Sequence, residues 1–313
     1  MFQYFRNKCI TLLIVACLFI LTSCSLPGLS GSSKNTITIG TLNTSESMTV
    51  AYIIKGLIEH HMDEKVNIIG NMGSTIVQHQ ALEQGEVDIT ATRYTGTDLP
   101  GTLQMDPVTD TDKALEIVQT EFTKRFDQTW FEPYGFENSY AFTVTRELAE
   151  RENLEKVSDI KDIASDLSLG VDNSWLNREG DGYQGFIDTY GFEFKKEYPM
   201  QIGLVYKAVS NGDMDVVLAY TTDGRIEEFD LVNLEDDKQF FPPYDASPVA
   251  SNDILEQFPQ LNNILSALEG KIEQETMRRM NYEADVLMKE PSVVAKEFLE
   301  ENDYFADQII SEE

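Results

Sequence analysis

Ala81-Leu82-Glu83-Gln84-Gly85-Glu86-Val87-Asp88-Ile89-Thr90-Ala91-Thr92-Arg93-Tyr94-Thr95-Gly96 has a near-copy later in the chain, Ala208-Val209-Ser210-Asn211-Gly212-Asp213-Met214-Asp215-Val216-Val217-Leu218-Ala219-Tyr220-Thr221-Thr222-Asp223-Gly224. Each copy reads as a helix that stops at a glycine, then an acidic-apolar-Asp strand, placed at 86–90 in the first copy, and then Tyr-Thr where the strand should end. Tyr94 and Tyr220 are therefore equivalent. Two lobes of related build would each present an aromatic at a strand's carboxyl end, and open α/β sheets bind ligands in the crevice beyond such ends.

Working outward, residues 36–40 alternate like a strand, and 44–47 supply N-cap candidates before Met48, Ala51, Ile54, Leu57 and Ile58, which recur at helical spacing. A strand follows at 66–69, and Gly73-Ser74 opens the helix that ends at Gly85. This strand-helix-strand-helix-strand order predicts an α/β lobe with a mainly parallel sheet. Thr109 and Asp112 form a capping box before a helix carrying Ala114, Leu115, Val118, Phe122 and Phe126 on one face. The alternating stretch 139–144 reads as a strand crossing into the second lobe. That lobe holds a helix around 158–162, a strand at 167–171, a helix ending near Tyr190-Gly191 and another over about 200–211.

After Tyr220 the chain returns to the first lobe. The stretch 240–248, with Pro242, Pro243 and Pro248, is excluded as a helix or a central strand because its prolines lack N–H donors; it reads as a rigid apolar loop. From Asn252 onward the pattern is helical, with Pro259 and Pro291 suited to helix starts and Gly270 to a stop. The expected organisation is lobe I over 37–132 and 233–313, interrupted by lobe II over 133–232.

The ends and the composition set the compartment. Residues 1–23 read as an export signal: Arg6 and Lys8 form a basic start, and the apolar run over 10–21 is short of the about 20 residues a membrane span requires. Leu21-Thr22-Ser23-Cys24 resembles a bacterial lipobox, in which the cysteine is lipidated and becomes the mature N-terminus. A tether over 24–36, rich in Gly, Ser and Pro, follows. Cys9 and Cys17 lie in the signal, so Cys24 alone remains and no internal disulfide forms. Loss of Arg6 and Lys8 takes the net charge from −30 to −32. Nucleic acid is thereby disfavoured as a partner, because a phosphate backbone needs a basic footprint. A solvated acidic surface that keeps a tethered protein soluble is the plain reading of the charge.

No catalytic constellation is present: the chain has no G-x-S-x-G elbow, H-E-x-x-H, Walker-type lysine loop or C-x-x-C pair. His60 and His61 fall at a helix end, where the negative pole of the dipole suits them better than a metal does. Asp106, Asp110, Asp112 and Glu116 lack the glycine and spacing of a calcium loop and read as helix capping. The aromatics carry more. Tyr94 and Tyr220 share the repeat, Tyr140 lies on the crossing strand and Tyr244 in the proline-clamped loop. Electron-rich faces without a carboxylate suit a quaternary ammonium group, which has no N–H to donate.

Together with these tyrosines, the lipobox, Arg93-Tyr94-Thr95-Gly96-Thr97, 134–144, 200–206, 217–225 and Phe240-Phe241-Pro242-Pro243-Tyr244 resemble the substrate-binding lipoprotein of a Gram-positive osmoprotectant ABC transporter. The resemblance covers essentially the whole mature chain. It implies a two-lobed periplasmic-binding-protein-like fold of type II, with glycine betaine, carnitine or choline in the cleft and no cofactor or bound metal. It also implies a monomer, lipid-anchored at the extracellular face, serving a permease whose ATPase is a separate chain. By resemblance, Tyr94, Tyr140, Tyr220 and Tyr244 form the aromatic cage, and Thr97 matches a position that separates broad from choline-restricted members. Leu42 stands where the family often has a ligand-holding glutamine, so Asn43 or a backbone N–H is the substitute. Two competing classes remain open at this stage. An exported hydrolase of choline-containing substrates requires a nucleophile with an adjacent base, and no such pair is visible; a receptor for another amine or an amino acid requires a carboxylate or arginine at the cage, for which Arg93 is the candidate.

Overall fold

A computed structural model of the protein describes residues 36–178 and 181–306. The expected signal, Cys24 and the tether up to residue 35 lie outside the described residues. Strands β1 (Thr36–Leu42), β2 (Lys65–Met72), β3 (Ile89–Tyr94) and β4 (Gln128–Trp130) precede β5 (Tyr140–Thr145), β6 (Ser168–Val171), β7 (Lys196–Pro199), β8 (Val216–Tyr220) and β9 (Leu231–Asn233). β10 (Ala246–Ser251) comes last. They form two five-stranded sheets, ordered β2-β1-β3-β10-β4 and β7-β6-β8-β5-β9. Among the described residues no helix is long and apolar enough to cross a membrane.

The two sheets are built to one plan. In each, the tyrosine-bearing strand, β3 or β8, lies at the centre, parallel to β1 or β6 on one side and antiparallel to a return strand, β10 or β5, on the other. The return strand then pairs antiparallel with the outer β4 or β9. The sequence repeat is the core of this plan. The N–H groups of Glu86 and Val87 donate to Ala81 O at 2.9 and 3.3 Å, and those of Asp213 and Met214 donate to Ala208 O at 2.9 and 3.2 Å. Gly85 and Gly212 make the reversal at φ +66° and +76°, a region open to glycine. Asp88 and Asp215 then accept the N–H of Thr38 and Ser168 on the neighbouring parallel strands, at 2.7 and 2.8 Å. With 86–88 held in this helix-ending turn, β3 begins at Ile89, later than the expected 86–90.

The copies differ by one residue. Ala81 and Ala208 are 127 positions apart, but Tyr94 and Tyr220 only 126. The additional residue sits in β3, where the three steps from Thr90 to Arg93 face only two from Val249 to Ser247. This bulge lies opposite Pro248, and it corrects the expectation that 240–248 excludes a central strand. Residues 246–248 open β10, which is central between β3 and β4, and Pro248 is tolerated because the ladder is already broken where its missing N–H would have donated.

Two further expectations shift. The helix Thr111–Phe126 is capped by Asp110, whose Oδ1 accepts from Lys113 N at 2.9 Å, instead of by Thr109; Asp is the stronger cap and fixes the start one residue later. The helix expected at 158–162 is two short 3-10 turns, Val157–Ile160 and Ala164–Asp166, because the Asp159 carboxylate takes the N–H groups of Glu155 and Lys156 and tightens the chain. C-terminal helices run Asn252–Gln257, Gln260–Ser266, Gln274–Asn281 and Pro291–Glu301, with Pro259 at an N-cap and Pro291 at a first turn. The last of them returns Val294, Phe298 and Leu299 to one core with Ile53, Ile54 and Leu57 of the helix Ser45–His61. Each such buried side chain contributes about 1.5–3 kcal/mol. A separate core around Phe142, Trp175, Phe186 and Leu218 holds the second sheet.

Candidate functional site

The register of the strands decides where the tyrosines meet. Tyr140 and Tyr220 are direct partners across the β5–β8 ladder, the first residue of one and the last of the other. Their ring centroids are 5.2 Å apart. Tyr94 ends β3 opposite Ala246, and Tyr244 stands two residues before that partner. Each half thus supplies one tyrosine from the end of its central strand and one from the start of the return strand or, for Tyr244, two residues before it. The Tyr244 ring lies edge-on to Tyr140, centroids 6.5 Å apart and planes at 86°. All four line a single cavity of about 340 Å³, with Leu42, Asn43, Gly73, Ser74, Thr75, Thr97, Asn138 and Arg178. Larger surface cavities of about 640 and 650 Å³ exist; the first holds Tyr140 alone of the four tyrosines, and the second, lined mainly by carboxylates and arginines, holds none of them.

Burial, reinforced at Tyr94 by the Glu46 carboxylate, holds the hydroxyls of Tyr94, Tyr220 and Tyr244 above the ordinary phenol range. The rings are neutral donors at physiological pH. Tyr94 OH donates to Glu46 Oε1 at 2.7 Å, and Tyr244 OH to Asp181 Oδ2 at 3.5 Å. Tyr220 is fixed through its backbone, whose N–H donates to the buried Tyr206 hydroxyl at 3.1 Å.

Gly96 is what lets Tyr244 approach. It sits in the first turn of the helix Thr95–Gly101, against the proline-clamped segment, where Thr95 Oγ1 donates to Pro243 O at 2.9 Å. A Cβ on Gly96 would lie 2.6 Å from that carbonyl and 3.0 Å from the Tyr244 ring. Gly96→Ala must therefore push the ring off its wall. A loss of cage affinity of about tenfold, or about 1.4 kcal/mol, is expected on ligand titration, and an unchanged affinity would show that the wall is compliant.

Among the polar expectations, Thr97 and Asn43 both reach the cavity and are exposed. Thr97 Oγ1 donates to Tyr94 O at 3.1 Å. Leu42 is partly buried, its N–H donating to Ser47 Oγ at 3.0 Å. Arg93 is not at the cavity: its side chain is fully buried and paired with Asp98. The arginine that does line the cavity is Arg178, which the sequence reading missed. Its guanidinium lies 5.3 Å from the Tyr140 centroid, donates to Tyr140 OH at 3.1 Å and pairs with Asp181 at 3.2 Å. Nothing in 172–178 marks it, because its partner ring is 38 residues away. Gly73 and Ser74, the expected helix start, line the cavity as well, and with them Thr75 at the N-terminus of the helix Thr75–Glu83, which the sequence does not single out.

His60 and His61 bond through Nε2 to Phe305 O and Tyr304 O at 2.9 and 3.1 Å, joining the end of their helix to the C-terminal turn. No cluster of three or more metal-ligating side chains occurs among the described residues.

Comparison with known proteins gives this geometry a family. Residues 35–301 match the model for the substrate binding domain of ABC-type glycine betaine transport systems. The chain is 55% identical over 294 residues to the carnitine transport binding protein OpuCC of Listeria monocytogenes, covering 94% of this chain and 95% of that one. It is 33% identical over 264 residues to the ergothioneine transport permease/ergothioneine binding protein EgtU of Helicobacter pylori, covering 84% of this chain and 47% of that longer one. Among solved structures, a glycine betaine/carnitine/choline ABC transporter protein aligns with a TM-score of 0.83 at 50% identity, over 86% of this chain and all of that one. These matches remove the hydrolase alternative. The chain belongs to the family of substrate-binding domains of ABC-type glycine betaine transport systems, two-lobed α/β solute receptors and not enzymes.

Proposed function

We propose that the protein captures quaternary ammonium compatible solutes, glycine betaine, carnitine and choline among them, outside the cell and delivers them to an ABC permease. The observation that carries this reading is the convergence of four tyrosine faces, two from each half, on one cavity. A desolvated cation–π contact contributes up to about 2 kcal/mol. Three or four such faces and a few polar contacts therefore reach the about −8 kcal/mol of micromolar binding. The carboxylate of betaine or carnitine would be received by Thr97, Asn43, the helix N-terminus at Ser74 and Thr75, and Arg178. A helix N-terminus favours an anion through its free N–H groups. In this reading Thr97 turns its hydroxyl from Tyr94 O to the ligand.

The lobes in this reading are 37–132 with 233–313, and 133–232; they close on the solute, and the closed form docks on the permease. A relative that carries a permease in the same chain supports that partner. Cys24 would hold the lipid anchor, the receptor would act as a monomer, and the ATPase would be a separate chain. Titration of glycine betaine, carnitine and choline against tyrosine fluorescence tests the ligand class, and no response to any of them at millimolar concentration would refute it.

Thr97→Asp sets a negative charge where the carboxylate is received. Betaine and carnitine should weaken about thirtyfold, close to about 2 kcal/mol, while choline changes less than about threefold because it has no carboxylate to repel. Equal losses for all three in calorimetric titration would remove Thr97 from the carboxylate subsite.

A further inference from the structure

Glu46 is a buried carboxylate, 3% exposed, directly behind the cage. Its Oε1 accepts from Tyr94 OH at 2.7 Å and from Asn138 Nδ2 at 2.9 Å; its Oε2 accepts from Asn281 Nδ2 at 3.0 Å. All three donors are neutral. Tyr94 and Asn138 line the cavity, and Asn281 also donates to Thr222 O, two residues past Tyr220, at 2.8 Å. Glu46 lies in the first turn of the helix Ser45–His61, where the macrodipole favours negative charge.

We infer that Glu46 is a positioning and specificity residue of the cage, a buried counter-charge that acts on the ligand's ammonium through Tyr94 without touching it. Hydrogen bonds from neutral groups satisfy the oxygens of a buried carboxylate but do not neutralise it, and an uncompensated interior charge is strongly unfavourable. A cation held over Tyr94 supplies the compensation. The effect is directed through the phenol: an O–H donated to a carboxylate shifts electron density into the ring and deepens its negative face, the face a cation reads. Coulomb attraction at this depth is also less attenuated by solvent than at the surface. The inference rests on the quaternary ammonium reading of the cavity. It adds a reason why a cation is preferred to an uncharged group of the same shape, which aromatic walls alone distinguish less sharply.

The test compares glycine betaine with 3,3-dimethylbutanoate, in which carbon replaces the charged nitrogen and shape and carboxylate are kept. The variant is Glu46→Gln, which keeps an acceptor for Tyr94 OH and removes the charge. Betaine affinity should fall about tenfold, or about 1.4 kcal/mol, with the isostere changed less than about twofold. Parallel losses for both ligands would mean that Glu46 only braces the fold, and an unchanged betaine affinity would mean that its charge is not felt; either overturns the inference. Tyr94→Phe supplies a second route if Glu46→Gln folds poorly. It keeps the ring but cuts the bridge, and should weaken betaine selectively by several-fold; equal loss of both ligands, or no loss of betaine, counts against Glu46. In the double variant the two effects should be less than additive, and full additivity would deny the relay through Tyr94. Wild-type protein that binds no betaine would instead remove the ligand reading itself, a result separable from the others because no variant is needed to see it.

Discussion

Tyr140→Ala is expected to weaken glycine betaine, carnitine and choline alike by a hundredfold or more, about 2.7 kcal/mol. The loss exceeds one cation–π contact, up to about 2 kcal/mol, because Tyr140 is also the ring on which its neighbours rest. Its centroid lies 5.2 Å from Tyr220, 5.7 Å from Phe241 and 6.5 Å from Tyr244. Truncation therefore removes one face and releases two others, and it unpins the Arg178 guanidinium, which lies over the same ring at the cavity wall. Tyr140→Phe separates the face from the hydroxyl. It keeps every ring contact and cuts the hydroxyl's bonds with Arg178 and Tyr220, so choline should stay within about fivefold of wild type. Calorimetric titration of the two variants checks the pair. A loss below about threefold in Tyr140→Ala would mean that the remaining rings suffice and that Tyr140 serves the strand, not the ligand.

Closure follows from the same placement. Tyr94 and Tyr244 belong to one half, Tyr140 and Tyr220 to the other, so under the proposed function a ligand would gain all four faces only when the two halves are together. In the proposed reading, ligand binding and lobe closure are one equilibrium, driven by the differential affinity of the closed form for the solute.

The repeat made much of this legible in the chain itself. A glycine-ended helix, an Asp-bearing strand and Tyr-Thr at its end are local features, and local features leave periodic signals. Tyr140 and Tyr244 were legible for another reason, lying in motifs that resemble a known family. Long-range polar pairing left no such trace. Glu46 meets Tyr94 across 48 residues and Asn281 across 235, and Arg178 meets Tyr140 across 38. No spacing rule connects residues so far apart, and each looks like an ordinary surface charge or amide in its own stretch. Pro248 misled because the general exclusion of proline from central strands holds for an intact ladder. The extra residue in β3 that breaks the ladder is visible only by counting 127 against 126 across the two copies.

Asp98→Ala should cost about 3–5 kcal/mol of stability, the range found when one partner of a buried ion pair is removed. Arg93 and Asp98 are both fully buried. Arg93 Nε donates to Asp98 Oδ2 at 2.9 Å, Nη2 donates to Oδ1, and Thr102 Oγ1 donates to the same Oδ1 at 2.5 Å. The guanidinium carbon is 5.3 Å from the Phe122 ring and 6.0 Å from Trp130, which offer attraction but no acceptor. Without the carboxylate the buried cation keeps only the neutral Thr102 hydroxyl, 3.3 Å from Nη2, and no counter-charge. The midpoint of thermal unfolding should fall on the order of 10 °C, and added salt should not rescue it, since counter-ions do not reach the site. The pair also fixes the first turn of the helix Thr95–Gly101, which holds Thr97 in the cavity and Gly96 against Tyr244. Protein that remains folded should therefore lose affinity for all three solutes together, unlike Thr97→Asp, which discriminates among them. Arg93→Met combined with Asp98→Leu removes both charges and should recover most of the lost stability, because apolar groups of similar volume often replace a buried pair at little cost. A double variant no more stable than Asp98→Ala would mean that the ion pair is needed for its directional hydrogen bonds, and not merely to neutralise Arg93.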